Sequence, residues 1–298
     1  MRIWLKRLGM GLGLLLILAV VLALFARALG ERKRQRVVDV EVAGVPWAND
    51  APALEHGRYL FRSRGCADCH GVDGGGREFI NDGKGMRLHG PNITAGGAVG
   101  HYTAQDWERV VRHGVKSDGR PAFIMPSEDY NRLTDTDLAA LVGYVRSLPA
   151  RPGGEAVVEL PLPVQALYGL GAIQDAYEKI DHHLPPAQPV TVAVNAEHGA
   201  YVAQMCKGCH GPGLSGGAIP GGPPDWPPAA NLTPGNNSAL ARYPDVTSFV
   251  AMLRSGKRPD GTSIKAMPFE SLRELNDTDA QAIYAFLKTV APKPAGQR

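Results

Sequence analysis

All four cysteines of this 298-residue chain fall in two five-residue stretches, Cys66-Ala67-Asp68-Cys69-His70 and Cys206-Lys207-Gly208-Cys209-His210. A motif written twice calls for a search of the flanks for a repeated unit. At an offset of 142, Glu55-His56-Gly57 falls on Glu197-His198-Gly199 and Tyr59 on Tyr201. Further along, Arg112 falls on Arg254, Asp118-Gly119 on Asp260-Gly261, and Met125-Pro126 on Met267-Pro268. Asp135-Thr136-Asp137 then falls on Asp277-Thr278-Asp279. The cysteine motifs are offset by 140, so the first unit has two extra residues just before its motif. An ordered series of this kind is a duplicated domain. The units run from about 50 to 149 and from about 190 to 294, joined by a Pro-rich connector over 150–189.

Each unit reads as a few helices separated by Gly/Pro loops, in keeping with 36 Gly and 24 Pro in the chain. A first helix over about Ala53 to Arg64 leads into the motif. A middle helix starts at Thr103 or Asp245, both good N-caps, and stops at Gly114 or Gly256. A last helix starts at Thr134 or Asn276, with Asp137 or Asp279 three residues on, the spacing of a capping box. Leu138, Leu141, Val142 and Val145 form one apolar stripe on it, and Ala280, Ile283, Tyr284 and Leu287 the other, each the buried face of a core helix. The connector is read as a semi-rigid spacer that partly packs on the domains, with one short helix over Gln165 to Lys179.

Cys-x-x-Cys-His is the attachment sequence of a c-type haem. Two thiols three residues apart reach the two vinyl groups of one porphyrin, and the adjacent His projects toward the iron. A redox dithiol gives no reason for the His. A structural zinc site wants four ligands at two spaced knuckles. A repeated Cys-x-x-Cys is also a poor structural bridge. The two cofactors are therefore read as two covalently bound haem c groups, held by Cys66, Cys69 and His70, and by Cys206, Cys209 and His210. An electron carrier needs a sixth iron ligand that recurs in both units. Met125 and Met267 lie 55 and 57 residues after the motif histidines, each before the last helix. Met86, His89, His101 and His113 have no ligand-type counterpart at the aligned positions.

The leader constrains location. Between Arg7 and Arg27 lie 19 uncharged residues, preceded by Arg2 and Lys6. At about 1.5 Å per residue, that helix nearly spans a bilayer core of roughly 30 Å. Two readings stand for residues 1–36: an uncleaved membrane anchor with a basic flank, or a signal peptide cut after Ala28 at Ala26-Arg27-Ala28. The run is longer than the usual signal core, and an Arg sits inside the cleavage site, which favours the anchor. Residues 1–36 hold eight of the 32 Lys and Arg and one of the 29 Asp and Glu. The remainder is net acidic, which does not suit a nucleic-acid partner, while the basic flank suits anionic headgroups. More basic residues follow the apolar run than precede it, yet long domains translocate largely regardless of charge.

Through "GCADCHG", "GPNIT" and "IMPSEDYNRLTDTDLAALVGYVRSL", then "MCKGCHG", "AANLT" and "AMPFESLRELNDTDAQAIYAFLKTV", the chain resembles the class I c-type cytochrome family. It looks most like membrane-anchored dihaem members related to cytochrome subunits of bacterial periplasmic dehydrogenases. The resemblance implies a mainly α fold of two tandem cytochrome c domains behind one N-terminal transmembrane helix. It implies His/Met ligation and outer-sphere electron transfer, with the haem domains on the periplasmic side of the bacterial cytoplasmic membrane. It also implies that the Pro91 carbonyl accepts a hydrogen bond from His70; the second unit departs, with Ala230 before Asn231. The reading is of an electron-transfer protein and not an enzyme. Its expected partners are a dehydrogenase or quinol-linked donor and an oxidase or soluble cytochrome acceptor. The alternative is a dihaem peroxidase-like oxidoreductase, which needs one iron with an open sixth position.

Overall fold

The computed structural model describes residues 2–223, 225–235 and 237–297, without the side chains of residues 2, 3, 5, 6 and 8. Helix α1 (Arg2–Arg34) is long and apolar enough to cross a membrane. The first unit follows as α2 (Ala51–Ser63), α3 (Cys66–His70), strands β1 (Arg77–Asn81) and β2 (Arg87–Gly90), α4 (Ala104–His113) and α5 (Asp135–Ser147). The connector contributes β3 (Val157–Glu159), α6 (Leu162–Gly169) and α7 (Ala176–Lys179). The second unit holds α8 (Ala196–Val202), α9 (Lys207–His210), α10 (Val246–Ser255), α11 (Phe269–Leu272) and α12 (Asp277–Leu287).

The boundaries follow from local chemistry. Asp50 caps α2 through the Ala53 N–H, and a proline follows in the first turn, where its missing N–H costs nothing. Thr103 and Asp106 form a reciprocal capping box on α4. Gly114 and Gly256 end α4 and α10 in the left-handed region, at φ 66° and 71°. In each unit the first helix crosses the last at a glycine. A Cβ on Gly57 would lie 2.0 Å from the Ala140 carbonyl oxygen, and one on Gly199 would lie 1.9 Å from that of Ala282. Only glycine permits that approach, and it draws each Cys motif against its own core.

Each unit has its own core. The first gathers Leu60, Phe61, Trp107, Leu138 and Val142, and the second Val202, Phe249, Leu253, Ile283 and Leu287. The apolar stripes expected on the last helices lie in these cores.

Three expectations need correction. The connector does not form one helix over Gln165 to Lys179. It forms α6 and α7, separated by a turn with Gly171 at φ 83°, and Asp175 caps α7 with its own capping box. The stretch after the first Cys motif is not only loop. β1 and β2 pair antiparallel, and β3 from the connector extends the sheet in the order β1-β2-β3. The capping box on the last helices is half made. Thr134 and Asn276 accept the N–H of Asp137 and Asp279, but those carboxylates turn elsewhere.

Candidate functional site

Gly65, at φ 81°, swings the chain from α2 into α3, which carries Cys66, Cys69 and His70 on barely more than one turn. In the second unit the link is shorter, and a 3-10 turn over Ala203–Cys206 leads directly into α9. Among the described residues no disulfide joins the four cysteines. His70 Nδ1 lies 3.0 Å from the Pro91 carbonyl oxygen. His210 Nδ1 lies 2.8 Å from that of Ala230. A carbonyl can only accept, so Nδ1 carries the proton in both rings, and Nε2 is the ligating nitrogen such a tautomer presents. The loss of proline in the second unit leaves the contact in place, because the contact belongs to the backbone.

Both carbonyls are pinned by a clasp that sequence reasoning missed. Asn92 Oδ1 accepts from the Thr94 N–H and hydroxyl at 2.9 and 2.8 Å, and its Nδ2 donates to Arg151 O at 2.7 Å. Asn231 does the same with Thr233 at 2.9 and 2.8 Å and with Lys293 O at 2.9 Å. The Asn-x-Thr recurrence in "GPNIT" and "AANLT" was the available signal. The clasp ties the loop opposite each motif to the chain just beyond each last helix.

Met125 and Cys66 pack against the first core, and Met267 and Cys206 against the second. The segment after each Met is stapled by an arginine from the middle helix. Buried Arg112 donates to Leu133 O at 2.6 Å and to Asp135 at 2.7 Å. Arg254 donates to Arg273 O at 2.6 Å and to Asp277 at 2.9 Å. Of the other candidates, His113 lies 3.0 Å from His182 of the connector, Nδ1 to Nδ1.

Burial pushes the Cys66 thiol up to about 12, Cys69 to about 11 and Cys206 to about 12. Burial also pulls His70 down, against its hydrogen bond to Pro91. Such a setting disfavours thiolates. It accommodates uncharged thioethers and a neutral imidazole, so the residues present fit a haem c group. Among the described residues no three His, Cys, Asp or Glu side chains gather as a metal cluster of their own.

The units meet through reciprocal contacts. Tyr59 donates to Asp279 at 2.6 Å and accepts the Asn276 N–H at 3.3 Å. Tyr201 donates to Asp137 and accepts the Thr134 N–H at 3.2 Å. Asp129 accepts the Gly208 N–H at 2.9 Å, and in the aligned place α11 packs on α3. Each Cys motif therefore lies against the segment that follows the other unit's Met. His56 lies 2.7 Å from Asp137, and His198 lies 2.7 Å from Asp279. Among the described residues one member has no twin: Arg64 Nη2 lies 2.9 Å from Asp279, with side-chain exposures of 7% and 5%.

Residues 54–149 match the family described as cytochrome c, and residues 194–287 match the family described as cytochrome c oxidase, cbb3-type, subunit III. The chain belongs to the class I c-type cytochromes and carries two cytochrome c domains, whose group is covalently bound haem c with iron. It is 27% identical over 282 residues to the fructose dehydrogenase cytochrome subunit of Gluconobacter japonicus, covering 83% of this chain and 54% of that one. It is 26% identical over 279 residues to the gluconate 2-dehydrogenase cytochrome c subunit of Pantoea cypripedii, covering 84% and 62%. It is 25% identical over 279 residues to the cytochrome c subunit of alcohol dehydrogenase (quinone) from Gluconacetobacter polyoxogenes, covering 83% and 58%. The chain thus spans little more than half the length of these relatives.

Proposed function

We propose that the chain is a membrane-anchored dihaem electron conduit. Cys66 and Cys69 hold one haem c with His70 and Met125 as axial ligands. Cys206 and Cys209 hold the other with His210 and Met267. Haem iron between His and Met supplies a one-electron couple of relatively high potential. The observation that carries this reading is the recurrence, in both units, of an imidazole whose Nδ1 is engaged by a pinned carbonyl. Second-sphere bonds of this kind orient a ligating His and fix its tautomer. With a Met offered at the same place in each unit, neither iron is left open for substrate. One electron enters from the donor and one leaves to the acceptor, and no bond or proton is exchanged.

The donor is a dehydrogenase or a quinol-linked protein, and the acceptor is an oxidase or a soluble cytochrome. The names of the relatives support a place as the cytochrome subunit of a dehydrogenase complex. Helix α1 is the uncleaved anchor, in the bacterial cytoplasmic membrane, with both haem units on the periplasmic side. Co-purification of a catalytic subunit with the full chain tests the complex.

The ligand set is tested by a pyridine haemochrome count and by the far-red absorption band of a Met–Fe(III) bond. We expect two low-spin haems per chain, and loss of about half the far-red band in either Met125→Ala or Met267→Ala. A high-spin iron in the unmodified protein would overturn the conduit and favour a peroxidase-like enzyme.

A further inference from the structure

The basic end of α1 is built into the connector. The uncharged run of α1 stops at Ala26, which puts Arg27 to Gly30 at the edge of a hydrocarbon core roughly 30 Å thick. There α6 packs directly on the helix. A Cβ on Gly30 would lie 2.6 Å from the Gln165 carbonyl oxygen, and one on Gly169 would lie 2.7 Å from the Gly30 nitrogen. The joint is then locked from above. Arg36 grips the buried Asp175 at 2.8 and 3.0 Å, and Lys33 pairs with Glu178 at 2.8 Å. The Lys33 Nζ also sits 4.4 Å over the ring of Tyr168, itself 1% exposed.

What α6 and its C-terminal turn show to the outside is leucine. Residues 160–174 contain no charged side chain. The polar Tyr168 is turned inward, while Leu162, Leu167 and Leu170 are 43%, 46% and 72% exposed. Three exposed leucines on one short uncharged stretch cost free energy in water and mark a surface that is covered. Its level on the molecule identifies the cover. The leucines belong to the element that packs on α1 at Gly30, four residues past the uncharged run and within the stretch that carries Arg27, Arg32 and Arg34, the level at which acyl chains give way to phosphates if α1 spans the bilayer. Basic side chains are favoured beside anionic headgroups there.

We infer that α6 and the turn at Leu170 form an interfacial foot. Leu162, Leu167 and Leu170 sit in the headgroup–acyl boundary of the same membrane that α1 crosses. The inference rests on α1 being a membrane anchor. Its effect is to add a second point of support beside the spanning helix. Because β3 of the connector pairs with β2, the foot is coupled to the first haem unit. It holds that unit at one height and tilt, and the chain does not swing on a single tether.

The test uses the full-length, haem-loaded chain in vesicles of phosphatidylethanolamine and phosphatidylglycerol. With the native cysteines held as thioethers, a nitroxide label reacts only with an introduced thiol. Labels are placed at Leu167→Cys and Leu170→Cys, with Leu16→Cys inside α1 as the lipid reference. Val192→Cys, 66% exposed in the connector, is the water reference. Collision with oxygen is compared with collision with a water-soluble nickel chelate. The foot is supported if the labels at 167 and 170 shift from the Val192 ratio toward the Leu16 ratio. Water-like labels at 167 and 170 with a lipid-like label at 16 overturn the foot alone. Water-like labels at all three overturn the anchor and the foot with it.

Discussion

Cys206 follows Tyr201 by five positions, whereas Cys66 follows Tyr59 by seven. The two units otherwise match closely, with the same glycine crossing, the same Asn-Thr clasp and the same His–carbonyl contact. The second unit tightens its short link into a 3-10 turn. The first unit uses its two extra residues, Arg64 and Gly65, to do something the second does not. Gly65 makes the left-handed turn, and Arg64 drives a guanidinium into the joint between the units to meet Asp279. On the other side of that joint, Asp137 bonds to Tyr201 and His56 and feels the Arg64 charge only through space. A two-residue insertion therefore leaves the geometry of each haem unit alone and makes the charge at the joint unequal.

The strongest way to break this comparison is to remove the arginine. Arg64→Ala leaves the Asp279 carboxylate buried without its cation, and should cost about 3–5 kcal/mol in chemical denaturation. Arg64→Gln combined with Asp279→Asn should recover much of that loss, because the stranded charge is gone. Truncating Gln204, which follows the aligned tyrosine at the place of Arg62, should cost well under about 1 kcal/mol.

Next come the tyrosines. Each of Tyr59→Phe and Tyr201→Phe removes a hydrogen bond to a carboxylate, on the order of 1.5–3 kcal/mol. The Tyr201 change should cost more, since Asp137 keeps only the His56 hydrogen bond and a more distant Arg64 charge, while Asp279 keeps direct bonds from Arg64 and His198. Equal losses in a denaturant titration would show that Arg64 contributes nothing to the difference.

Acid should reveal both carboxylates. Burial alone would push Asp279 up, but the charge of Arg64 and the bonds from Tyr59, Arg64 and His198 hold it below the usual range. Asp137 is likewise held down against burial by the bonds from His56 and Tyr201 and, more weakly, by the charge of Arg64. A depressed folded value means stability that is fully present above the unfolded pKa, about 3.9, and lost as pH falls through the folded value. The denaturation midpoint should therefore be insensitive to these groups near neutral pH and drop below about pH 4. Asp279→Asn should remove part of that drop.

The smallest expected effect concerns the loop carbonyls. Pro91→Ala makes the first loop resemble the second, and should cost about 0.4–1 kcal/mol by freeing the unfolded chain. Since the His70 contact is to backbone, the reduction potential of that haem should stay unchanged in spectroelectrochemical titration.

Much of each unit was legible because it is local. The caps at Thr103 and Asp245, the stops at Gly114 and Gly256 and the stripes on the last helices all act within one or two turns. The position of Pro91 opposite His70 came from the family resemblance, which the second unit departs from with Ala230; both carbonyls lie within hydrogen-bond reach of the motif histidine. Illegible features were those in which a locally sensible residue serves a distant partner. Asp137 and Asp279 have the spacing of capping-box members, yet their carboxylates serve His56, His198 and the tyrosines of the opposite unit. The strands of the hairpin carry Arg77, Glu78 and Arg87, without the alternation of a half-buried strand, and β3 that completes the sheet lies far along the chain. The stretch from Gln165 to Lys179 reads as one helix, but Gly169 and Gly171 break it where α6 must turn away from α1.

The reciprocal tyrosine–aspartate pairs also bear on assembly. Contacts in which residue i of one copy meets residue j of the other, and j meets i, are isologous, the pattern of a two-fold dimer. Here both copies belong to one polypeptide, so the pairing is intramolecular and does not dissolve on dilution. It is also closed: the pairing face of each unit is already taken by the other, and neither is left open to start a head-to-tail filament. Further subunits must bind elsewhere, on faces where the two units are no longer equivalent.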